Sequence, residues 1–262
     1  MQGNAHISQK PPLRLIREGF PTRPAYGTAV SETLLIRVAA GELGETFRLH
    51  RPARELAFSK QDRAAPGFQT AVAAAREMGF EPVVRLAGGR AALFHEGTLA
   101  IAWSSPAERP VEGTQDRFRW LAELLTRALS GLGVDARVGE VPGEYCPGAW
   151  SINAGGGTKL VGIGQRMIRG GAHCGAVIVV SDSALVRNTL EPIYSALDLD
   201  WDPATTGAVD DEVGPTTLDA VEAAVVAELA KEYELVETEL DPETLERARA
   251  LEESHRPAEI IA

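Results

Sequence analysis

Apolar positions three and four apart over TAVSETLLIRVAA, residues 28–40, put Ser31 and Glu32 on another face and end before Gly41, which predicts a helix. Short β-prone runs follow at TFRLH (46–50) and ELAF (55–58), separated by the turn pair Arg51-Pro52. FQTAVAAAREM (68–78) is Ala-rich, amphipathic and closed by Gly79, again a helix. In EPVVRLAGGRAALFHEGTLAIAW (81–103) two β-prone runs flank Gly88-Gly89, predicting a strand, a tight backbone passage and a returning strand. Residues 116–132 repeat apolar side chains at helical spacing and stop at Gly133. TKLVGIGQRMIRGGAHCGAVIVV (158–180) reads as two more glycine-punctuated strands, with 176–180 fully buried. Residues 182–197 read as loop and short helix, 201–215 as a connector, and 218–233 and 242–253 as two helices.

This order does not alternate as a doubly wound parallel sheet requires. The expected fold is α+β, a mixed and largely antiparallel sheet flanked by helices with a small helical C-terminal region. The expected organisation is an N-terminal arm at 1–26, which carries four prolines, a catalytic domain at 27–205, and a C-terminal helical region at 206–262.

The chain has 262 residues with 44% hydrophobic and 24% charged positions, ordinary for a globular protein. No window is apolar enough to span a membrane, and the N-terminus lacks the order of a secretory signal, so a cytoplasmic location is expected. The net charge of −11 disfavours nucleic-acid and anionic-membrane partners, leaving docking to local basic residues such as Arg166 and Arg169. The two cysteines make no disulfide framework, and no spacing suggests a metal site.

Candidate chemistry gathers at few places. Gly88-Gly89-Arg90 is either a tight turn or a close approach to a ligand whose phosphate or carboxylate an arginine fork could take, with Arg85 able to face the same ligand. Cys146, in the loop EYCPG, is either an ordinary small residue or an accessible thiol that a nearby cation could activate, whereas Cys174 borders an apolar run and is expected to pack. Lys159 opens a strand after three glycines and is either solvated or set to lower a thiol pKa. His95 and His173 are either general bases or hydrogen-bonded structural histidines.

Taken in order, AVSETLLIRVAAG (29–41), FRLHRPARELAFSKQD (47–62), VVRLAGGRAALFHEGTLAIAW (83–103) and KLVGIGQRMIRGGAHCGAVIVV (159–180) resemble the lipoate-protein ligase and octanoyltransferase catalytic domain, whose superfamily includes the biotin-protein ligases. The resemblance covers roughly 27–205. Glu32, Leu34, Leu35 and Arg48 match, with Ser31 where Asp is usual. Arg85, Gly88, Gly89 and Arg90 match "R-R-x-[ST]-G-G-[GR]", while Val84 replaces one arginine and Ala87 the hydroxyl residue. The family histidine position holds Phe94; His95 is one later, on the opposite strand face unless a bulge intervenes. Lys159, Gly162 and Gln165 match "K-x-x-G-x-[AS]-Q", with Gly164 where Ala or Ser is usual, and Gly175 fits the family pattern further along the chain. Cys146 resembles the cysteine of the cysteine-dependent octanoyltransferases, to which the chain is most similar.

The resemblance implies transfer of an octanoyl or lipoyl group through a Cys146 thioester, with Lys159 stabilising thiolate and oxyanion and no cofactor. Apolar residues near Leu86, Ala91 and Val161 would line the acyl tunnel. Expected donors are acyl carrier protein or free lipoate or octanoate; expected acceptors are a lipoyl domain or a glycine-cleavage H-like protein. Two alternatives stay open: an ATP- and Mg²⁺-dependent ligase working through an acyl-adenylate at Arg85 and Arg90, and a non-catalytic binding member of the same fold, which the substitutions at Ser31, Val84, Ala87 and Phe94 would suit.

Overall fold

The computed structural model describes residues 10–258. The chain enters through β1 (Pro12–Ile16), then runs through α1 (Pro24–Ala39), β2 (Thr46–His50), β3 (Glu55–Phe58), a single-turn α2 (Lys60–Arg63) and α3 (Phe68–Glu77). Next come β4 (Glu81–Val84), β5 (Ala92–Phe94), β6 (Thr98–Ala107), α4 (Thr114–Gly131), β7 (Ala136–Val138), β8 (Ile152–Ala154), β9 (Thr158–Ile168) and β10 (Gly170–Val179). The last elements are α5 (Ser183–Ala196), α6 (Val209–Val213), α7 (Leu218–Glu232), β11 (Glu234–Glu237) and α8 (Pro242–Leu251).

Among the described residues, eight strands form the main sheet in the order β11-β1-β2-β6-β10-β9-β8-β7, parallel at β11-β1-β2 and antiparallel elsewhere. A second sheet, β4-β3-β5, has three strands. This is the expected mixed, mostly antiparallel α+β architecture. The two sheets separate what the sequence reads as one strand pair over 81–103: β4 and β5 join the small sheet, and β6 crosses to the centre of the large one.

Strand alternation decides which face is which. Phe47 and Leu49 of β2, Ile101 and Trp103 of β6, and Cys174 and Ile178 of β10 turn one face of the large sheet into the main core, packed against α4 and α7. The intervening residues face the opposite way, toward α1 and the small sheet.

Both chain ends depart from the expected organisation. Residues 12–16, expected in a loose arm, form β1, and Leu13 and Leu15 are fully buried in the main core; residues 1–9 lie outside the described residues. The arm expectation fails because Pro12 only opens the strand, a position where its missing N–H costs no ladder bond. The C-terminal helices do not stand apart either. Val221, Val225 and Leu229 of α7 enter the main core, β11 pairs with β1, and α8 packs on α1. Residues 183–196, expected as loop and short helix, form one helix, with the Asp182 carboxylate accepting the Leu185 N–H at its start.

Candidate functional site

A cavity opens between the two sheets. Its floor is the back face of β2, β6, β10 and β9, its roof is β3 and β5, and the loops around Arg85 and Cys146 close one end. Among the expected site residues, Arg85, Cys146, Lys159, Gly162 and Gly175 line it.

The Cys146 loop is held from three sides. Its backbone adopts φ +44°, a left-handed conformation uncommon for a residue with a side chain. The Cys146 N–H donates to the Tyr194 hydroxyl at 2.8 Å, and that hydroxyl donates to the Ala91 carbonyl at 2.9 Å, tying the loop to α5 and to the approach of β5. Lys159 holds the carbonyl side. Fully buried, its ammonium donates to the carbonyls of Tyr145 and Cys146 at 2.9 and 2.7 Å and to Glu144 Oε1 at 3.0 Å. Glu144 is itself buried and accepts from the Val141 and Gly148 N–H groups and the Ser151 hydroxyl. The ion pair therefore has its remaining lone pairs filled, the condition under which a buried pair is tolerated.

Around the sulphur, donors converge. Cys146 Sγ accepts the Arg90 N–H at 3.1 Å and lies 3.5 Å from Arg85 Nη2, which also donates to the Arg90 carbonyl at 2.6 Å. Burial pushes the thiol pKa up, but the Arg85 and Lys159 charges and these N–H groups outweigh it, and the net shift is downward. Gly89 makes the approach possible: it sits at φ +103°, and a Cβ there would meet Arg85 Nη2 and come within 2.8 Å of Cys146 Sγ.

A bulge aims Lys159. Lys159 and Gly162 are three apart and would face opposite sides of a regular strand, yet a Cβ on Gly162 would lie 3.5 Å from Lys159 Cε. Between β8 and β9 the register slips, Ile152 opposing Val161 while Asn153 opposes Lys159, so Leu160 is the extra residue. Leu160 and Val161 both enter the main core, and Lys159 turns to the cavity.

Other expected site residues are placed differently. Gly88 donates its N–H to the Gln165 carbonyl at 3.4 Å, and the missing side chain at Gly164 leaves room for Ala87, whose Cβ lies 3.1 Å from where a Cβ at 164 would be. Arg90 contributes its backbone to the thiol while its side chain lies 3.5 Å from the buried Asp62, which caps α2 with Ser59. Gln165 points away from the cavity and bonds Arg117 and the Thr114 carbonyl. His95 is also turned away: Phe94 lines the cavity, and buried His95 accepts the Gly97 N–H at Nδ1, 3.1 Å away. No bulge shifts it; β5 pairs with β3 in regular register. Of the expected tunnel residues, Leu86 lines the cavity, whereas Val161 and Ala91 are in the cores. Cys174 is in the main core, as expected.

Sequence reasoning missed Glu144 and Tyr194. An acidic residue two before the cysteine is a local signal for the first, while Tyr194 lies 48 residues from Cys146 and carries none. It also missed two polar side chains of the cavity, His50 and Glu55, which lie there with Arg48 and His173.

Residues 23–229 match the model of the lipoyl protein ligase A/B catalytic domain. The chain belongs to that family. Relatives include a protein of Geobacillus kaustophilus named octanoyl-[GcvH]:protein N-octanoyltransferase, 28% identical over 62% of this chain and 57% of that protein. A protein of the same name from Exiguobacterium sibiricum is 30% identical over 79% of this chain and 74% of its own length. Against the Geobacillus protein the chain thus spans less than two thirds of its relative's length. Among solved structures, a lipoate-protein ligase A bound with ATP superposes with a TM-score of 0.74 at 20% identity, covering 92% of this chain and 94% of that one, a likeness of fold. The match reaches past residue 205 into α7, consistent with the packing of that helix in the main core. Among the described residues no helix is long and apolar enough to cross a membrane.

Proposed function

We propose that this protein transfers an octanoyl or lipoyl-type acyl group to a lysine of a lipoyl-acceptor domain, through a thioester on Cys146. The observation that carries this reading is the thiol itself: a cysteine on the wall of a largely apolar cavity, with a cation and a backbone N–H directed at its sulphur. The names of the relatives, which pair octanoyl-[GcvH] with a protein, support the acyl group and a small lipoyl-carrying partner of that kind.

In the first half-reaction the Cys146 thiolate attacks the acyl carbonyl of the donor. A new C–S bond forms, and the bond to the donor breaks; the leaving group, whether a thiolate or an amide nitrogen, takes a proton from water. As charge moves from sulphur to oxygen, the Arg90 N–H and the Arg85 guanidinium, which had held the thiolate, are close enough to receive the oxyanion. In the second half, a neutral lysine amine of the acceptor attacks the thioester, the C–N bond forms, the C–S bond breaks, the amine gives up a proton to water, and the thiolate returns. Lys159 acts through its charge and by fixing the Cys146 carbonyl. All three of its protons are engaged, so contact with the acyl oxygen would require one of those bonds to open. Burial of the chain supplies most of the affinity, at about 0.8 kcal/mol per methylene.

The ATP-dependent alternative asks the glycine-pair loop to hold a nucleotide phosphate. Its donors instead turn to Sγ, Arg90 reaches toward Asp62, and the second arginine is a buried Val84. The test is intact-protein mass spectrometry with octanoyl-carrier protein, without ATP, on wild type and Cys146→Ala. An octanoyl adduct present only in the wild type is expected; an adduct that persists in the variant, or one that forms only with free acid, ATP and Mg²⁺, overturns the proposal.

A further inference from the structure

Glu32 follows Ser31, a cavity residue of α1, and its carboxylate meets a side chain 223 positions further along the chain. That side chain belongs to the single turn Glu252–His255, which follows α8 and packs on both α1 and β4. The segment is tied on either side of His255. Glu252 pairs with Arg23 at the start of α1, and the Ala258 carbonyl accepts from Gln69 of α3 at 3.3 Å. Between these ties His255, only 5% exposed, places Nε2 2.9 Å from Glu32 Oε2 and Nδ1 2.8 Å from the Val84 carbonyl. It thus joins α1, which packs on the large sheet, to an edge strand of the small one.

The Val84 carbonyl belongs to the same planar peptide unit as the Arg85 N–H. That N–H donates to the Phe58 carbonyl of β3 at 2.8 Å. In a trans peptide the carbonyl then points the other way, off the sheet edge, where His255 meets it. The plane is held on both sides just before the Arg85 side chain departs. Arg85 depends on that support, because its Nε has no partner among the described residues and its Nη2 reaches Sγ only at 3.5 Å, a contact that a small tilt of the plane would lengthen. Proton counting gives the charge of the pair. A carbonyl can only accept, so Nδ1 carries a proton, and the contact between Nε2 and a carboxylate needs a second one. The His255 bond is the main cause that holds Glu32 below the usual carboxylate range, against burial, with Arg166 of β9 and Lys60 of α2 adding weaker pulls. The second proton therefore sits on the imidazole.

We infer that Glu32 and His255 are positioning residues for Arg85: by clasping the peptide plane between Val84 and Arg85 they keep the guanidinium beside Cys146 Sγ, and so favour the thiolate. Neither residue lines the cavity, and both act through Arg85. The inference rests on the acyl-transfer reading for the use made of that thiolate.

The test titrates the alkylation of Cys146 by iodoacetamide in the full chain. His255→Phe and Glu32→Ala should each move the midpoint upward, slowing alkylation by about threefold at a pH well below it, which is the direction of Arg85→Gln. Glu32→Gln should keep the wild-type midpoint, because its amide N–H can donate to Nε2 of a neutral imidazole whose Nδ1–H still serves Val84. In an Arg85→Gln background His255→Phe should change the rate by less than about 1.5-fold, since two changes on one route do not add. Midpoints unmoved by Glu32→Ala and His255→Phe, or an equal added shift with and without Arg85, overturn the inference and reduce the pair to a tie for the segment beyond α8. If His255→Phe fails to fold, Glu32→Ala and Glu32→Gln decide. The octanoyl adduct is measured on the same samples. Midpoints that shift as expected, with no adduct on the wild type, uphold the clasp and remove the transfer reading; an adduct on the wild type with unmoved midpoints does the reverse.

Discussion

The chain holds two cysteines 28 positions apart in sequence and places them in opposite environments. Cys146 stands on a strained loop with Arg85, Lys159 and the Arg90 N–H about its sulphur, and its pKa falls despite burial. Cys174 lies in the middle of β10 within the main core, where burial pushes it up to about 12 and Arg117 only partly offsets that. Cys174 is fully buried and Cys146 only partly, and the charges and donors around Cys146 outweigh its desolvation where Arg117 beside Cys174 does not. Burial alone raises a thiol pKa, and organised donors beside the sulphur bring it down again.

The largest effects should come from breaking that arrangement. Cys146→Ala is expected to abolish the acyl-enzyme and lower transfer at least 10³-fold, read by adduct mass and steady-state rates. Lys159→Met tests the same surroundings from behind. It leaves Glu144 charged, buried and short of its cation, at a cost of about 3–5 kcal/mol in urea unfolding. Adding Glu144→Gln should restore most of that stability without restoring activity. Recovery of activity in the double variant would show that Lys159 only holds the loop.

Parts of this comparison can be read in the sequence, and parts cannot. Lys159, Arg85, the glycine pair and Cys146 stand out because a loop cysteine, a lysine at a strand start and paired glycines are locally unusual. That Lys159 shares a face with Gly162 depends on the bulge at Leu160, a register slip set by β8 and invisible in β9 alone. His95 attracts attention as a histidine beside a strand, but the pleat gives the cavity to Phe94. Residues 12–16 alternate weakly and follow prolines; their burial comes from parallel pairing with β2 and with β11, more than two hundred residues away. Such pairing leaves no local trace. Likewise the alternation of β2 predicts a strand, but only the second sheet shows that Arg48 and His50 are enclosed rather than solvated.

A titration sharpens the comparison further. The reactive species is the thiolate, so alkylation of Cys146 should rise with pH through a midpoint below the ordinary thiol value, because its pKa is lowered in the fold. Arg85→Gln removes a cation that favours the charged form, so the midpoint should move upward. A shift of one unit makes alkylation about tenfold slower at a pH well below both midpoints. Gly89→Ala should have the same sign, since a methyl there occupies the approach of Arg85 to Sγ, and it adds the strain of a left-handed backbone.

The smallest effect belongs to the other thiol. Cys174→Ala removes one sulphur from a well-packed core, and its expected cost is about 1 kcal/mol, comparable to other small truncations. Transfer activity should stay within twofold, because Cys174 faces the main core while the cavity lies behind its neighbours His173 and Gly175. Iodoacetamide at pH 7 should label native wild type once, at Cys146, and label Cys174 only on unfolding. Labelling of Cys174 in the native protein at a comparable rate would mean that β10 opens readily, and that neither the burial of Cys174 nor the donors around Cys146 separates the two thiols.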